Sequence, residues 1–300
     1  MLAAMKRAVL IVNPFATRVT EAAIAAVERA LMRVAYVRTV QTEGPRHAVE
    51  LAREAGGDAD AVIVFSGDGG FNEALNGIDR NDLPLGFVPG GGTSVLPRAL
   101  GLPRDAVAAA EQLADALEAN RFRRISTGRV NDRRFAFGAG IGIDAEVVRR
   151  IDGRGRSPDG TRPGDLAFVT TFARLLVEHR GRLEPMLEVE GFGRAAFVFV
   201  ANVNVYSFLK AIAIKATPEA AFEQGLDFLA PVSVTPRTLP PLLYALASGR
   251  PARHALRGHD LDRIAVKTDR PLPLQVDGED LGDVTEAVFE AERGSISVLS

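Results

Sequence analysis

The chain of 300 residues has no cysteine and no tryptophan, and only four histidines. Without cysteine there are no disulfides, no thiolate metal sites and no cysteine nucleophile. That absence fits a reducing compartment, and a cytoplasmic location is the expectation. His47, His179, His254 and His259 are scattered without metal-ligand spacing. Neither sign of charge is in excess: 36 basic and 38 acidic side chains leave a formal net charge of −2. No global basic field exists, so nucleic acid is not an expected partner. Long apolar runs are missing too. The opening Met1-Leu2-Ala3-Ala4-Met5-Lys6-Arg7 lacks the apolar core and cleavage site of a secretory signal. Runs such as Ala195–Ala201 are far too short to span a bilayer. Any membrane contact is therefore expected to be peripheral.

What remains is an ordinary globular composition, 47% hydrophobic and 25% charged. The length allows two modest domains or one large one. Over the first 120 residues, apolar runs alternate with amphipathic helical patterns. Strands are expected at Ala8–Val12, Ala35–Val40, Ala61–Phe65 and Pro84–Val88. A helix is expected from Thr20-Glu21 to about Val34. A second has Pro45 in its first turn and stops at Gly56-Gly57, and an alanine-rich third covers Asp105–Asn120. Such alternation argues for a parallel sheet covered on both faces. Ligands on these sheets bind at the carboxyl ends of strands, where Asn13, Thr42, the Gly67–Gly70 turn and the Pro89–Thr93 loop all fall.

Near Arg121 the pattern changes. Arg123–Val130 and Arg133–Ala139 flank Asn131-Asp132, a hairpin signal. Short β-rich runs follow at 186–190, 195–202, 226–232, 262–268, 272–277 and Ser295–Leu299. Leu166–His179 and Leu239–Ala247 are helical exceptions. This half reads as a mostly antiparallel second domain. The arginine-rich stretch 149–164 reads as a loop, either a solvated charge run or a surface drawn to anionic membranes or phosphates.

The most informative stretch is Ala61-Val62-Ile63-Val64-Phe65-Ser66-Gly67-Asp68-Gly69-Gly70-Phe71-Asn72-Glu73. A buried strand ends in a glycine turn that opens into a helix, which is the form of a phosphate cradle. Glycine lets the backbone approach an anion closely. Asp68 is placed to hold magnesium or a reacting hydroxyl; an exposed acid in a tight turn is the plainer reading.

Several ordered motifs accompany this one: Ile11-Val12-Asn13-Pro14, Val88-Pro89-Gly90-Gly91-Gly92-Thr93-Ser94, Arg98-Ala99-Leu100-Gly101-Leu102-Pro103, Gly138-Ala139-Gly140-Ile141-Gly142-Ile143-Asp144-Ala145 and Val276-Asp277-Gly278-Glu279. Together they resemble the diacylglycerol kinase catalytic-domain family, which includes bacterial soluble lipid kinases and is related to sphingosine kinases. The resemblance implies a phosphofructokinase-like α/β nucleotide-binding domain carrying a mostly antiparallel β-sandwich domain. The nucleotide would lie in the cleft between them. The expected division is 1–122 with a returning C-terminal strand 290–300, and 123–289 as the β-rich lipid domain. Two loops depart from the family pattern. Ser66 and Gly70 stand where many members have Gly and Thr, and Gly92, Thr93 and Ser94 replace a Thr-x-Asn unit. Gln224 replaces an acid in the family's Asp-Gly-Leu turn. A neutral amide is a poor ligand for a hard cation, so the structural magnesium site of bacterial members is not expected here.

The resemblance implies an ATP- and magnesium-dependent lipid kinase acting on diacylglycerol or a related lipid at a membrane surface, and leaves a homodimer open. Phosphoryl transfer needs aligned reactants, neutralised phosphate charge and a proton acceptor. The expected nucleotide contacts are Asn13, Thr42, Ser66, Gly67, Asp68, Gly69, Gly70, Glu73, Gly91, Gly92, Thr93 and Ser94. For Glu73 the competing role is a first-turn acid complementing the helix dipole. Family comparison makes Asp277 the preferred proton acceptor, with Glu279 in support or on magnesium and Asp68 on magnesium or the lipid hydroxyl. Phe168, Phe172, Leu175 and Leu176 repeat at helical spacing and would line an acyl groove or belong to the core. Two other functions stay open: a soluble-metabolite kinase resembling NAD kinases, and a nucleotide-binding protein without catalysis.

Overall fold

Unbroken burial is what makes the first apolar runs into central strands. The computed structural model describes residues 5–153, 165–205, 207–209 and 212–300. It divides into two units, one holding the residues up to Ile125 together with Gly294–Ser300, the other Ser126–Arg293.

In the first unit the order is β1 (Lys6–Val12), α1 (Glu21–Met32), β2 (Ala35–Gln41), α2 (His47–Asp58), β3 (Ala61–Ser66), α3 (Asp68–Gly77), β4 (Leu85–Pro89), α4 (Val95–Ala99) and α5 (Ala106–Glu118). Every residue of β3 and β4 is buried, as expected of strands covered on both faces. The strands form a parallel sheet ordered β2-β1-β3-β4, and Val298 from the C-terminal segment pairs in parallel with Leu85. α1 packs with α5 and α2 with α3, giving each face its cover. Local chemistry starts two of these helices. Thr20 Oγ1 accepts from Ala23 N, and Asp105 Oδ1 accepts from Ala108 N. Each such cap contributes about 1 kcal/mol.

α2 departs from expectation at both ends. Pro45 lies outside the helix, whose N-cap is Arg46 in the left-handed region at φ 68°. The partner for its N-terminus comes from α3, where Glu73 Oε2 accepts from Ala48 N. The helix also runs through Gly56-Gly57 to Asp58. Burial of Ala55 and Ala59, joined by the bond from Ala59 N to Ala55 O, holds that last turn despite the two glycines.

The second unit takes up β5 (Phe122–Val130) from Ser126 onward. It continues through β6 (Arg133–Phe135), β7 (Gly138–Ile141), α6 (Ile143–Asp152), α7 (Asp165–Glu178), β8 (Leu187–Val189), β9 (Gly193–Ala195), β10 (Val198–Ala201), β11 (Ser207–Leu209) and β12 (Ile212–Ile214). Then come β13 (Leu226–Pro231), α8 (Leu239–Ser248), β14 (Ala255–Leu261), β15 (Arg263–Val276) and β16 (Glu279–Leu299), whose last residues belong to the first unit. The ladder β14-β13-β10-β7-β15 is antiparallel throughout, and β15 also pairs with β8 and β16. Asn131 and Asp132, both at positive φ, form the two-residue turn between β5 and β6, the hairpin geometry that matches strand twist. One core lies among the strands around Phe135, Phe228 and Phe289. A second joins α6, α7 and α8 to the ladder.

Leu175 and Leu176 are buried in that second core, with Phe168 and Phe172 packed against it; the stripe serves packing. The expected loop at 149–164 begins as helix instead. Arg149 to Asp152 complete α6, with Arg149 bonded to Asp280 and Asp283 and Arg150 to Glu146 and Glu178. Residues 154–164 lie outside the described residues. The runs at 262–268 and 272–277 merge into one strand, β15, with register shifts where the two were expected to part. Among the described residues no helix is long and apolar enough to cross a membrane.

Candidate functional site

The residues singled out from the sequence fall into two groups, one in each unit. In the first unit, β3 ends at Ser66 and Gly67 is the extended N-cap of α3. The N-cap residue, a glycine, has no side chain with which to cap this helix. Its first-turn N–H groups have no acceptors within the helix, and the dipole concentrates positive potential there. The glycine loop of residues 90–92 lies directly against the turn. Gly90 N donates to Ser66 O at 2.7 Å, and a Cβ on Gly91 would sit 2.9 Å from Gly67 Cα. Only two bare backbones can approach so closely.

Asp68 ties the two loops together. Its carboxylate accepts from Val95 N at 3.0 Å and from Leu96 N at 3.1 Å, so it caps α4 from a distant part of the chain. Ser94, at the N-cap position itself, has φ 48° and makes no cap; its hydroxyl donates to Gly91 O at 3.2 Å. Two N–H donors favour the ionised form of Asp68 and fix its orientation.

Asn13 follows β1. Its N–H donates to Phe65 O and its Oδ1 accepts from Phe15 N, both at 3.0 Å. Its Nδ2 lies 3.9 Å from where a Gly70 Cβ would be, beside the start of α3. Ser66 Oγ is buried and, among the described residues, has no hydrogen-bond partner. That carries a penalty of about 1–3 kcal/mol unless something else bonds it. It also explains Gly70, whose Cβ would lie 2.1 Å from this oxygen.

Asn13, Ser66, Gly67, Asp68, Gly69, Gly70, Gly91 and Ser94 are thus gathered around one helix N-terminus. Gly92 is exposed and Thr93 half-buried on the same loop. Thr42 is buried one strand further out, with its N–H on Val12 O. Glu73 lies beyond the first turn of α3, and its bond to Ala48 N serves α2 rather than its own helix dipole. The amides of Val95 and Leu96 were missed because nothing local marks a helix capped from residue 68. A cavity of about 730 Å³ is lined by Arg7, Asp60 and Arg80 at the opposite ends of the strands. It lies away from the glycine loops.

In the second unit, Asp277 and Gly278 form the two-residue turn between β15 and β16, at φ 47° and 80°. The Asp277 carboxylate accepts from three consecutive backbone amides: Ala136 N at 2.7 Å, and Phe137 N and Gly138 N at 3.0 Å each. Its own N–H donates to Gly138 O at 2.8 Å. Three N–H donors strongly favour the carboxylate over the acid. Gln275 bridges the turn to α6: its Nε2 donates to Asp144 Oδ2 at 2.7 Å, and its Oε1 accepts from Gly278 N at 2.9 Å. The two glycine-rich motifs of this unit are therefore one hydrogen-bonded structure. Glu279 is half-exposed and accepts from Arg133 Nη2 at 2.6 Å.

A triphosphate suits the first group. The helix N-terminus offers N–H donors, the glycines allow close approach, and Ser66 holds a hydroxyl unused among the described residues. Among the described residues no three acidic or histidine side chains form a metal cage. Magnesium suits this setting as an ion held largely by phosphate and water, touched by one or two carboxylates.

The sequence pattern of the diacylglycerol kinase catalytic domain matches residues 7–130. The chain is 31% identical over 212 residues to a Streptococcus pneumoniae protein named "Putative lipid kinase", covering 68% of this chain and 69% of that one. It is 27% identical over 293 residues to a diacylglycerol kinase of Bacillus subtilis, covering 92% and 90%. A crystal structure from Bacillus anthracis, described as "a putative diacylglycerol kinase", shares the fold with a TM-score of 0.77 at 19% identity, covering 98% of this chain and 95% of that one.

Proposed function

Since the chain belongs to the diacylglycerol kinase catalytic-domain family, we propose that it transfers the γ-phosphoryl group of ATP to a hydroxyl of diacylglycerol or a related lipid. The observation that carries this reading is the start of α3: a helix N-terminus with glycine at its N-cap, beside a buried Ser66 hydroxyl that has no hydrogen-bond partner among the described residues. The α3 amides, the Ser66 hydroxyl and Asn13 Nδ2 bind phosphate oxygens. The Gly91–Ser94 loop, held to α3 through Asp68, closes over the nucleotide, with Thr42 further along the same sheet edge. ATP with magnesium supplies the phosphoryl group with its charge neutralised. Asp68 and Glu279 are the carboxylates assigned to the ion. Glu279 would exchange Arg133 for it.

Asp277 orients the lipid hydroxyl and takes its proton. A carboxylate so heavily bonded is a weak base. That suffices where the transition state is loose and the proton leaves late. The lipid enters from a membrane surface that the protein visits without crossing it.

Incubation with labelled ATP, magnesium and a panel of dispersed lipids tests the reading. Label in phosphorylated diacylglycerol or a related single-hydroxyl lipid is the expected result. No lipid product across the panel overturns it, with label in a soluble metabolite pointing to the other kinase class. Asp277→Asn is expected to abolish transfer while calorimetry shows nucleotide affinity within a few-fold of the parent. Normal turnover in that variant removes the assigned role.

A further inference from the structure

From Phe228 to His259 the sequence contains no aspartate and no glutamate, although 38 of the 300 residues are acidic. The same stretch holds Arg237, Arg250, Arg253 and Arg257. α8 lies in its middle and has no charged residue at all. Leu242 and Ala245 turn inward to the core shared with α6 and α7. On the outer face Leu243 is 47% exposed and Tyr244 60%. Arg237 precedes the helix and Arg250 follows it, with the Arg250 guanidinium 6.0 Å from the centre of the Tyr244 ring. Arg253 lines a small groove against Pro241 and Leu242. Glu178, at the end of α7, is already paired with Arg150.

An outward leucine and tyrosine on an uncharged helix, in a stretch of chain whose fixed charges are all arginine, narrow the choice of partner. A second copy seated on the same face would oppose arginine with arginine, since a two-fold interface is self-complementary. A protein partner ordinarily fixes its register with charges of both signs. A bilayer fixes no register, presents one sign, and accepts leucine and tyrosine at headgroup depth. We propose that the outer face of α8, with Arg237, Arg250 and Arg253, is a docking surface for an anionic bilayer. This deepens the lipid-kinase reading and rests on it only for what the docking serves. Bound there, the protein would take its lipid substrate from the leaflet it touches.

The test is flotation of the full chain with vesicles of phosphatidylcholine, with and without one-third phosphatidylglycerol. Binding is expected to require phosphatidylglycerol and to weaken with added salt. Leu243→Ser with Tyr244→Ser should lower the vesicle partition coefficient at least about tenfold. Arg250→Gln with Arg253→Gln should lower it about fivefold per arginine. Both variants should keep the parent melting temperature and the parent activity on a short-chain, monomeric diacylglycerol. Undiminished binding in both variants overturns the proposal. So does equal binding to neutral vesicles, or a dimer of the parent chain that the α8 variant dissociates. Phosphate transfer is not needed to read binding. Vesicle binding that behaves as expected, with no lipid phosphorylated, upholds the surface and rejects the kinase reading.

Discussion

Gly70→Ala is a substitution whose sign depends on one oxygen atom. A Cβ at position 70 would lie 2.1 Å from Ser66 Oγ and 2.8 Å from Ser66 Cβ. Rotating the serine removes the first clash and leaves the second, so backbone must move. Overpacking of this kind costs about 1–3 kcal/mol. Against it stands the helix preference for alanine over glycine, up to about 1 kcal/mol. The single variant should therefore lose about 1–2 kcal/mol of unfolding free energy. In a Ser66→Gly background both obstructing atoms are gone, and the next contact is Asn13 Nδ2 at 3.9 Å. Alanine at position 70 should then be neutral or stabilising. Urea unfolding of the four proteins gives the coupling, expected at about 2 kcal/mol. The same cost for Gly70→Ala in both backgrounds, within about 0.5 kcal/mol, would refute the reasoning. A pair with Gly at 66 and Thr at 70 restores the order of many family members. In this chain the hydroxyl stands instead at the end of β3, on Ser66, four residues before Gly70.

Two further outcomes follow from single side chains. Asp68→Ala removes the acceptor for Val95 N and Leu96 N. It should lower unfolding free energy by about 1–2 kcal/mol and weaken magnesium-nucleotide binding, and an unchanged urea midpoint with unchanged calorimetric affinity would reject both effects. His259 is raised above its ordinary value of 6.5 by its hydrogen bond to the Asp227 carboxylate, with Glu219 and Asp260 adding to the pull. The protonated form is the one favoured in the fold. This contribution is fully present below about pH 6.5 and is lost as pH rises through the higher folded value. His259→Gln should flatten the melting temperature across that window; a slope identical to the parent would show that the pair contributes nothing.

The parallel sheet was legible because its signals are local. β3 is an unbroken apolar run, Thr20 and Asp105 are caps beside the helices they start, and the glycine turn follows its strand without a gap. Asn131-Asp132 marked a hairpin for the same reason: two left-handed residues are needed in that turn and asparagine and aspartate tolerate it. What escaped the sequence depends on partners far away in the chain. α2 begins where Glu73 meets it, not where Pro45 allows it. The last turn of α6 looked like a charged loop because its arginines find Asp280, Asp283 and Glu178 only after folding. Asp68 stood out as an acid among glycines, yet its bonds to residues 95 and 96 are invisible to any spacing rule. The same holds for Asp277, whose three amide donors lie about 140 residues earlier. A turn in sequence is an anchor in structure.

The last seven residues belong to the first unit. Val298 runs beside Leu85, Ser297 Oγ donates to Asn81 O at 2.8 Å, and Leu299 is buried. A fragment cut after Ile125 would leave one side of β4 without its neighbour, a bare ladder of amides and carbonyls ready to recruit any passing strand. Dissection of this protein into separately expressed halves therefore calls for a graft: the closing segment must be spliced back beside β4, or the excised piece will clump before it can be assayed.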